Sequence, residues 1–166
     1  MKKILILLFA IPFLTNAQTD YTSDVKSVDA IIHALYEVIS GDPGATRDWA
    51  RFKYLFTADA KLLPTGKNQE GKFMYRTMTP DEYVTMFTTR ITTGFFEREL
   101  FRKTEEYGTI VHVFSTYETK EKKDGPITNR GINSIQLLKD QDRYYVMNIF
   151  WCAESLGFPL PEKYLK

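Results

Sequence analysis

The chain has 166 residues, enough for one domain, with 22 basic and 21 acidic side chains and a near-neutral balance. That balance, with no stripe of Lys and Arg, excludes a strong electrostatic partner such as nucleic acid. A single cysteine, Cys152, excludes an internal disulfide framework, and an apolar fraction of 43% with 14% aromatic residues suffices for a real core.

Residues 1–17 read as a secretory signal peptide. Lys2 and Lys3 precede the apolar run Ile4 to Leu14, and Thr15-Asn16-Ala17 supplies a small-residue end. The run is too short to span a membrane in a mature chain, so export to the periplasm or medium is expected, with no membrane span in the mature protein. Cleavage would remove two lysines and no acid.

Next, the spacing predicts a helix over 22–40. Val28, Ile31, Ile32, Leu35, Val38 and Ile39 form one apolar stripe, with Tyr36 at its flank and His33 on the solvent side. Gly41-Asp42-Pro43-Gly44 ends it. A second helix starts near Asp48 and buries Trp49, Phe52, Leu55 and Phe56. Asp59 and a short extended run, Ala60 to Leu63, follow it. Residues 65–78 read as a long polar loop carrying Phe73, Met74 and Tyr75. The third helix has a full start signal: Thr79 as N-cap, Pro80 at the first position, and Glu82 completing a capping box. Tyr83, Val84, Phe87 and Ile91 are its inward residues.

Four strands complete the domain. The first is FFERELFRKTEEY. Gly108 to Glu154 then forms a three-stranded meander with turns at Asp124-Gly125-Pro126 and Asp140-Gln141. The proline-rich segment 155–166 is a tail that docks on the domain through Leu156, Phe158 and Tyr164. The order predicts an α+β domain over 22–154 with helices packed on one face of a curved antiparallel sheet.

That order resembles the nuclear transport factor 2-like superfamily, which includes ketosteroid isomerases and polyketide-cyclase-like proteins. The residues that carry the resemblance are the F-x-x-D-A step from Phe56 to Ala60 and the last strand ending in Phe150-Trp151. Further support comes from Gly94-Phe95-Phe96-Glu97, from His112 to Glu118, and from Arg130 to Leu137. The resemblance implies a cone of sheet wrapped around three N-terminal helices, with an internal cavity. Within that superfamily activity follows the cavity lining rather than the fold.

The resemblance also implies that the Trp of the last strand points into the cavity. With the last hairpin centred on Asp140-Gln141, Gln136 pairs with Tyr145, Ser134 with Met147, and Arg130 with Trp151. Ser115 and Tyr117 join that face. The expected pocket is then Ser115, Tyr117, Arg130, Ser134, Gln136, Tyr145, Met147 and Trp151, with Tyr36, Trp49, Phe56 and Phe87 from the helices. Phe114, Ile135, Val146 and Phe150 are left for an outer face that pairs with a second copy, giving a homodimer.

An isomerase-like reaction needs a carboxylate base and donors for a developing oxyanion. At the positions where the resemblance places those acids, this chain carries Leu62, Leu63, Pro64 and Ser134. Three other candidates for a base remain, Asp59, Glu97 and His112. Asp59 reads as a cap or turn residue or as a base. Glu97 and Glu99 read as exposed strand residues in cross-strand ion pairs, or Glu97 with Arg130 as a polar pocket floor. His112 reads as an interface residue or as a base. The two histidines and the lone cysteine give no metal-ligand spacing, and no glycine-rich cofactor motif occurs, so neither metal nor cofactor is expected. The function this supports is an exported domain that binds a small, largely apolar molecule. The alternatives are an isomerase or cyclase using a cavity Glu, His or Asp, and a dimeric interaction domain without a ligand.

Overall fold

A computed structural model describes residues 19–166. The signal-peptide reading lies outside the described residues. The helix expected over 22–40 falls into two pieces, a 3-10 turn, Thr22–Val25, and helix α1, Val28–Ile39, which carries the whole apolar stripe. Ser27 separates them because its extended backbone lets its hydroxyl accept from Ala30 N at 3.1 Å, which is N-capping. Asp48 caps α2, Trp49–Tyr54, in the same way through Arg51 N at 2.9 Å. Helix α3, Pro80–Arg90, carries the capping box: Glu82 N donates to Thr79 Oγ1 at 3.2 Å, and Thr79 N donates to Glu82 Oε2 at 2.7 Å.

Six strands follow the order β2-β1-β6-β5-β4-β3 in one open sheet. They are β1 Phe56–Lys67, β2 Phe73–Tyr75, β3 Phe96–Tyr107, β4 Ile110–Lys120, β5 Ile127–Asp140 and β6 Arg143–Ala153. The sheet is mixed: β1 runs parallel to β6, and the other pairings are antiparallel. Strand β1 is far longer than the expected run from Ala60 to Leu63. It passes through Pro64 and hairpins into β2, so the expected loop over 65–78 holds two strand pieces, 65–67 and Phe73–Tyr75. Phe56 opens this strand and is not part of α2.

Three bulges set which side chains face the helices. In the β3–β4 pairing Glu99 faces Tyr117 and Phe101 faces Thr116, so Leu100 is extra. In β4–β5, Thr119 faces Asn129 and Lys120 faces Ile127, so Thr128 is extra. In β5–β6, Leu137 faces Val146 and Gln136 faces Asn148, so Met147 is extra. Each inserted residue reverses the in–out alternation beyond it.

The inner face of the sheet meets α1 and α2 in a core that includes Ile31, Leu35, Phe52, Val113, Ile135 and Val146. Ile135 and Val146, expected on an outer pairing face, are fully buried here. The outer face carries Phe114, Ser134, Gln136 and Phe150, and the chain's own tail crosses part of it. Thr116, fully buried, donates to Tyr164 O at 2.7 Å, and the Phe114 and Tyr164 rings lie 5.0 Å apart. Arg130 holds Glu154 through two hydrogen bonds of 2.9 and 3.1 Å, and Leu160 N donates to the same carboxylate at 3.2 Å. Among the described residues no helix is long and apolar enough to cross a membrane.

Candidate functional site

Between α1, α3 and the inner sheet face lies a cavity of about 210 Å³. Its helix side is apolar: Leu35, Ile39, Phe52, Met86, Phe87 and Ile91. Its sheet side is polar: Glu97, Tyr117, Thr119, Asn129 and Asn133, with Trp151 and Ile149 beside them. Tyr36 and Tyr83 reach it from α1 and α3. The aromatic wall is braced from behind. Phe52 stacks on Tyr83 at 5.4 Å, and Phe87 lies edge-on to Phe95 at 5.2 Å and to Trp49 at 5.4 Å.

Glu97 is the group around which this lining is arranged. It sits at the start of β3, where Glu97 N donates to Ser40 Oγ at 2.9 Å. Gly41 and Phe95 exchange backbone hydrogen bonds of 2.7 and 2.9 Å one step earlier, tying the end of α1 to the strand. Glu97 lines the cavity and is only partly exposed. No Lys, Arg or His lies within ion-pairing distance of it among the described residues. Desolvation therefore dominates, and it pushes the carboxyl up to about 8, with the Asn133 amide opposing part of the rise. Near neutral pH the group is mostly the neutral acid, which can donate a hydrogen bond.

The surrounding phenols are neutral too. Burial raises Tyr36, Tyr83 and Tyr117, and the nearby Glu97 adds to the rise in all three. Tyr36 is fully engaged. Ser115, completely buried, gives its proton to Glu99 Oε1 at 2.6 Å, so Tyr36 donates to Ser115 Oγ at 2.7 Å. Asn133 Nδ2 in turn donates to the Tyr36 oxygen at 3.0 Å. Arg102 closes the chain on Glu99 Oε2 at 2.9 Å. The hydroxyls of Tyr83 and Tyr117 make no hydrogen bond to protein among the described residues, although Tyr117 is only 4% exposed.

Of the residues expected in a pocket, Tyr36, Phe87, Tyr117 and Trp151 line this cavity, and Ser115 sits directly behind it. Trp49 and Phe56 pack against Phe87 and Phe52 as support and do not line it. Arg130, Ser134, Gln136, Tyr145 and Met147 do not face it. The bulge at Met147 puts Trp151 inward while Tyr145 stays outward, where it packs on the Arg143 guanidinium at 4.0 Å. The shift in the β4–β5 register brings Asn133, not Ser134, opposite Ser115. Ser134 instead meets His112 Nε2 at 3.0 Å on the outer face, which removes His112 as a cavity base. Asp59 is exposed on β1 and is likewise removed. Arg130 pairs with Glu154 outside, so it forms no floor with Glu97. Sequence reasoning misses Asn133 and Tyr83 as polar cavity groups. For Tyr83 the available signal is its place one turn before Phe87 on α3.

No family model matches the chain, and no curated protein matches it. Solved structures do. Aln2 from a Streptomyces species superposes with a TM-score of 0.57 at 12% identity, covering 78% of this chain and 90% of its own. A putative calcium/calmodulin dependent protein kinase II association domain from Xanthomonas campestris gives 0.54 at 14% identity, covering 75% of this chain and 83% of its own. An NTF-2 like protein of unknown function from Silicibacter pomeroyi gives 0.49 at 13% identity, covering 76% and 92%. The fold is nuclear transport factor 2-like. Identities this low speak for the architecture alone. In this chain the chemistry must be read from the cavity.

Proposed function

We propose that the chain is an exported small-molecule pocket protein whose ligand is small, neutral and largely apolar, with one hydrogen-bond acceptor such as a carbonyl oxygen. The observation that carries this is Glu97: a carboxyl with no cationic partner among the described residues, facing a 210 Å³ cavity beside two phenols that lack protein partners there. Convergent polar groups in an apolar cleft are the usual mark of a ligand site. The neutral acid donates to the acceptor, and Tyr117 and Tyr83 are spare donors. No Lys, Arg or His lines the cavity, and the nearby Arg47 guanidinium is stacked on the Phe87 ring at 4.9 Å, so the desolvation of an anionic ligand would go largely uncompensated.

The test is a thermal-shift and fluorescence titration with benzaldehyde, toluene and benzoate. Benzaldehyde should stabilise the protein more than toluene, and benzoate should have no effect. Glu97→Leu should erase the preference of aldehyde over hydrocarbon. Equal responses to all three, or a response to benzoate alone, would overturn the reading.

A second reading is favoured by one feature, the elevation of Glu97 toward the working pH, which suits a group that gives and takes protons. On it the chain is an isomerase- or cyclase-like enzyme, and Glu97→Gln retains binding while abolishing turnover. The reading keeps a homodimer through the outer sheet face, now formed by the exposed Phe150, Phe73 and Tyr75 in place of Ile135 and Val146, which are buried, and of Phe114, which Tyr164 covers. Sedimentation of the mature chain tests it.

A further inference from the structure

The inner face of the sheet is built in rows, because cross-strand partners stand side by side on one face. Glu97 of β3, Thr119 of β4 and Asn129 of β5 form one such row: Glu97 pairs with Thr119, and Thr119 pairs with Asn129. Alternation along each strand fixes where they point. The Asn133 amide reaches Tyr36 of α1, so Gly131 and Asn129, reached from it in steps of two with no bulge between, share the inner face. Arg130, between them, points outward to Glu154. On β4, Ser115 also meets Tyr36, so Tyr117 and Thr119 follow it inward. On β3, Glu99 accepts from Ser115 Oγ, which places Glu97 on that face as well. All three members of the row line the cavity.

The far end of the row is weakly engaged. The side-chain amide of half-buried Asn129 forms no hydrogen bond among the described residues. The hydroxyl of buried Thr119 has only long contacts, 3.4 Å to Thr128 Oγ1 and 3.5 Å to the Asn129 carbonyl oxygen. Thr119 stands one strand spacing from Glu97 and Asn129 two, about 5 and about 10 Å along the row. We propose that Thr119 and Asn129 form a second polar station of the cavity, and that the ligand is a ring bearing a hydroxyl at the end opposite the acceptor held at Glu97. This rests on the pocket reading above and adds the second functional group. An amide and a hydroxyl each donate and accept, and a ligand hydroxyl answers both: it gives its proton to Asn129 Oδ1 and accepts from Thr119 Oγ1. No Lys, Arg or His lines the cavity, so the group placed there is neutral. At about 210 Å³ the space exceeds the roughly 150 Å³ that encloses a bare benzene ring, which leaves volume for substituents at two ends. Met86, Phe87 and Ile91 supply the apolar cover for the ring between them. An apolar group at the same end would displace water from the Asn129 amide without replacing its hydrogen bonds, so the station selects against it.

The experiment compares two aldehydes of one shape, 4-(hydroxymethyl)benzaldehyde and 4-ethylbenzaldehyde, by isothermal calorimetry. Neither ionises near neutral pH, and they differ only in a hydroxyl against a methyl. The hydroxyl compound should bind wild type about ten-fold more tightly, the worth of about one well-made hydrogen bond. Asn129→Leu and Thr119→Val should each cut that preference to about three-fold or less. Thr119→Ser, which keeps the hydroxyl, should retain it. Asn129→Leu should bind 4-ethylbenzaldehyde at least as tightly as wild type does, which shows that its cavity is intact. Asn129 is half-buried, so its variant carries the test even where Thr119→Val fails to fold. Equal binding of the two aldehydes by wild type, or a full preference that survives in Asn129→Leu, would overturn the proposal and leave the pocket reading standing. Failure of wild type to bind either aldehyde would overturn both.

Discussion

Gly131 lies directly across the β4–β5 ladder from Tyr117, and a methyl group built on it would stand 2.6 Å from the Tyr117 hydroxyl oxygen and 2.8 Å from its ring carbon Cζ. The same methyl would press on the Cys152 carbonyl oxygen from β6. Glycine at this position is what lets the Tyr117 ring lie flat over β5 with its hydroxyl toward the cavity. The cavity's polar wall thus depends on a missing side chain.

Gly131→Ala should therefore destabilise the fold by about 1–3 kcal/mol, the usual cost of overpacking. Adding Tyr117→Phe should recover only part of that loss, because the clash with the Cys152 backbone remains. Thermal melts of the single and double variants check both statements. Full recovery in the double variant would show that the backbone contact is irrelevant.

Ser115 links Tyr36 to Glu99, and it is completely buried. Ser115→Ala strands a phenol proton and a carboxylate oxygen and should cost about 1–3 kcal/mol. The pair Ser115→Ala and Tyr36→Phe should be non-additive, since each removes the same hydrogen bond. Denaturant unfolding of the two single variants and the double variant measures that coupling, and strict additivity would mean that the Tyr36–Ser115 bond contributes nothing.

Much of this architecture is legible in the residues. The capping box at Thr79 and Glu82, the apolar stripe of α1 and the four long strands declare themselves locally. The face of the sheet does not. Turn residues set a hairpin's register only up to its first bulge, and the bulged residues here, Leu100, Thr128 and Met147, carry no glycine or proline to announce them. One unannounced residue at Met147 is enough to send Trp151 inward while Tyr145, Gln136 and Ser134 point out. Pro64 looks like the end of a strand, yet it sits within β1, paired with Trp151 of parallel β6. Glu97 has a readable signal: an acid directly after two phenylalanines at a strand start, on the same face as Glu99. What stays hidden is its lack of a cationic partner, because Arg130 ends on the opposite face with Glu154.

The tail supplies a third prediction. Deleting residues 158–166 removes the carbonyl that accepts from buried Thr116 and the ring that covers Phe114. The truncated chain should melt at lower temperature and bind a dye for exposed apolar surface more strongly. Tyr164→Ala, which keeps the carbonyl, should fall between the two. If it matches the full deletion, the ring alone fastens the tail.

The pH dependence of stability follows from Glu97. Its carboxyl moves from an ordinary value of 4.5 in the open chain to about 8 in the fold. Below pH 4.5 both states hold the proton, and the group contributes nothing to any slope. Between pH 4.5 and about 8 the unfolded chain releases the proton while the folded chain keeps it. The unfolded state then binds fewer protons, so stability falls as pH rises through that window, and the loss is complete above it. Glu97→Gln, which keeps the shape and a hydrogen-bond donor but cannot ionise, removes this slope. Melting temperatures of wild type and variant across the window should diverge steadily in favour of the variant and run parallel above it. Parallel curves throughout would mean that Glu97 titrates as an ordinary exposed acid, and the neutral donor on which the pocket reading depends would be absent.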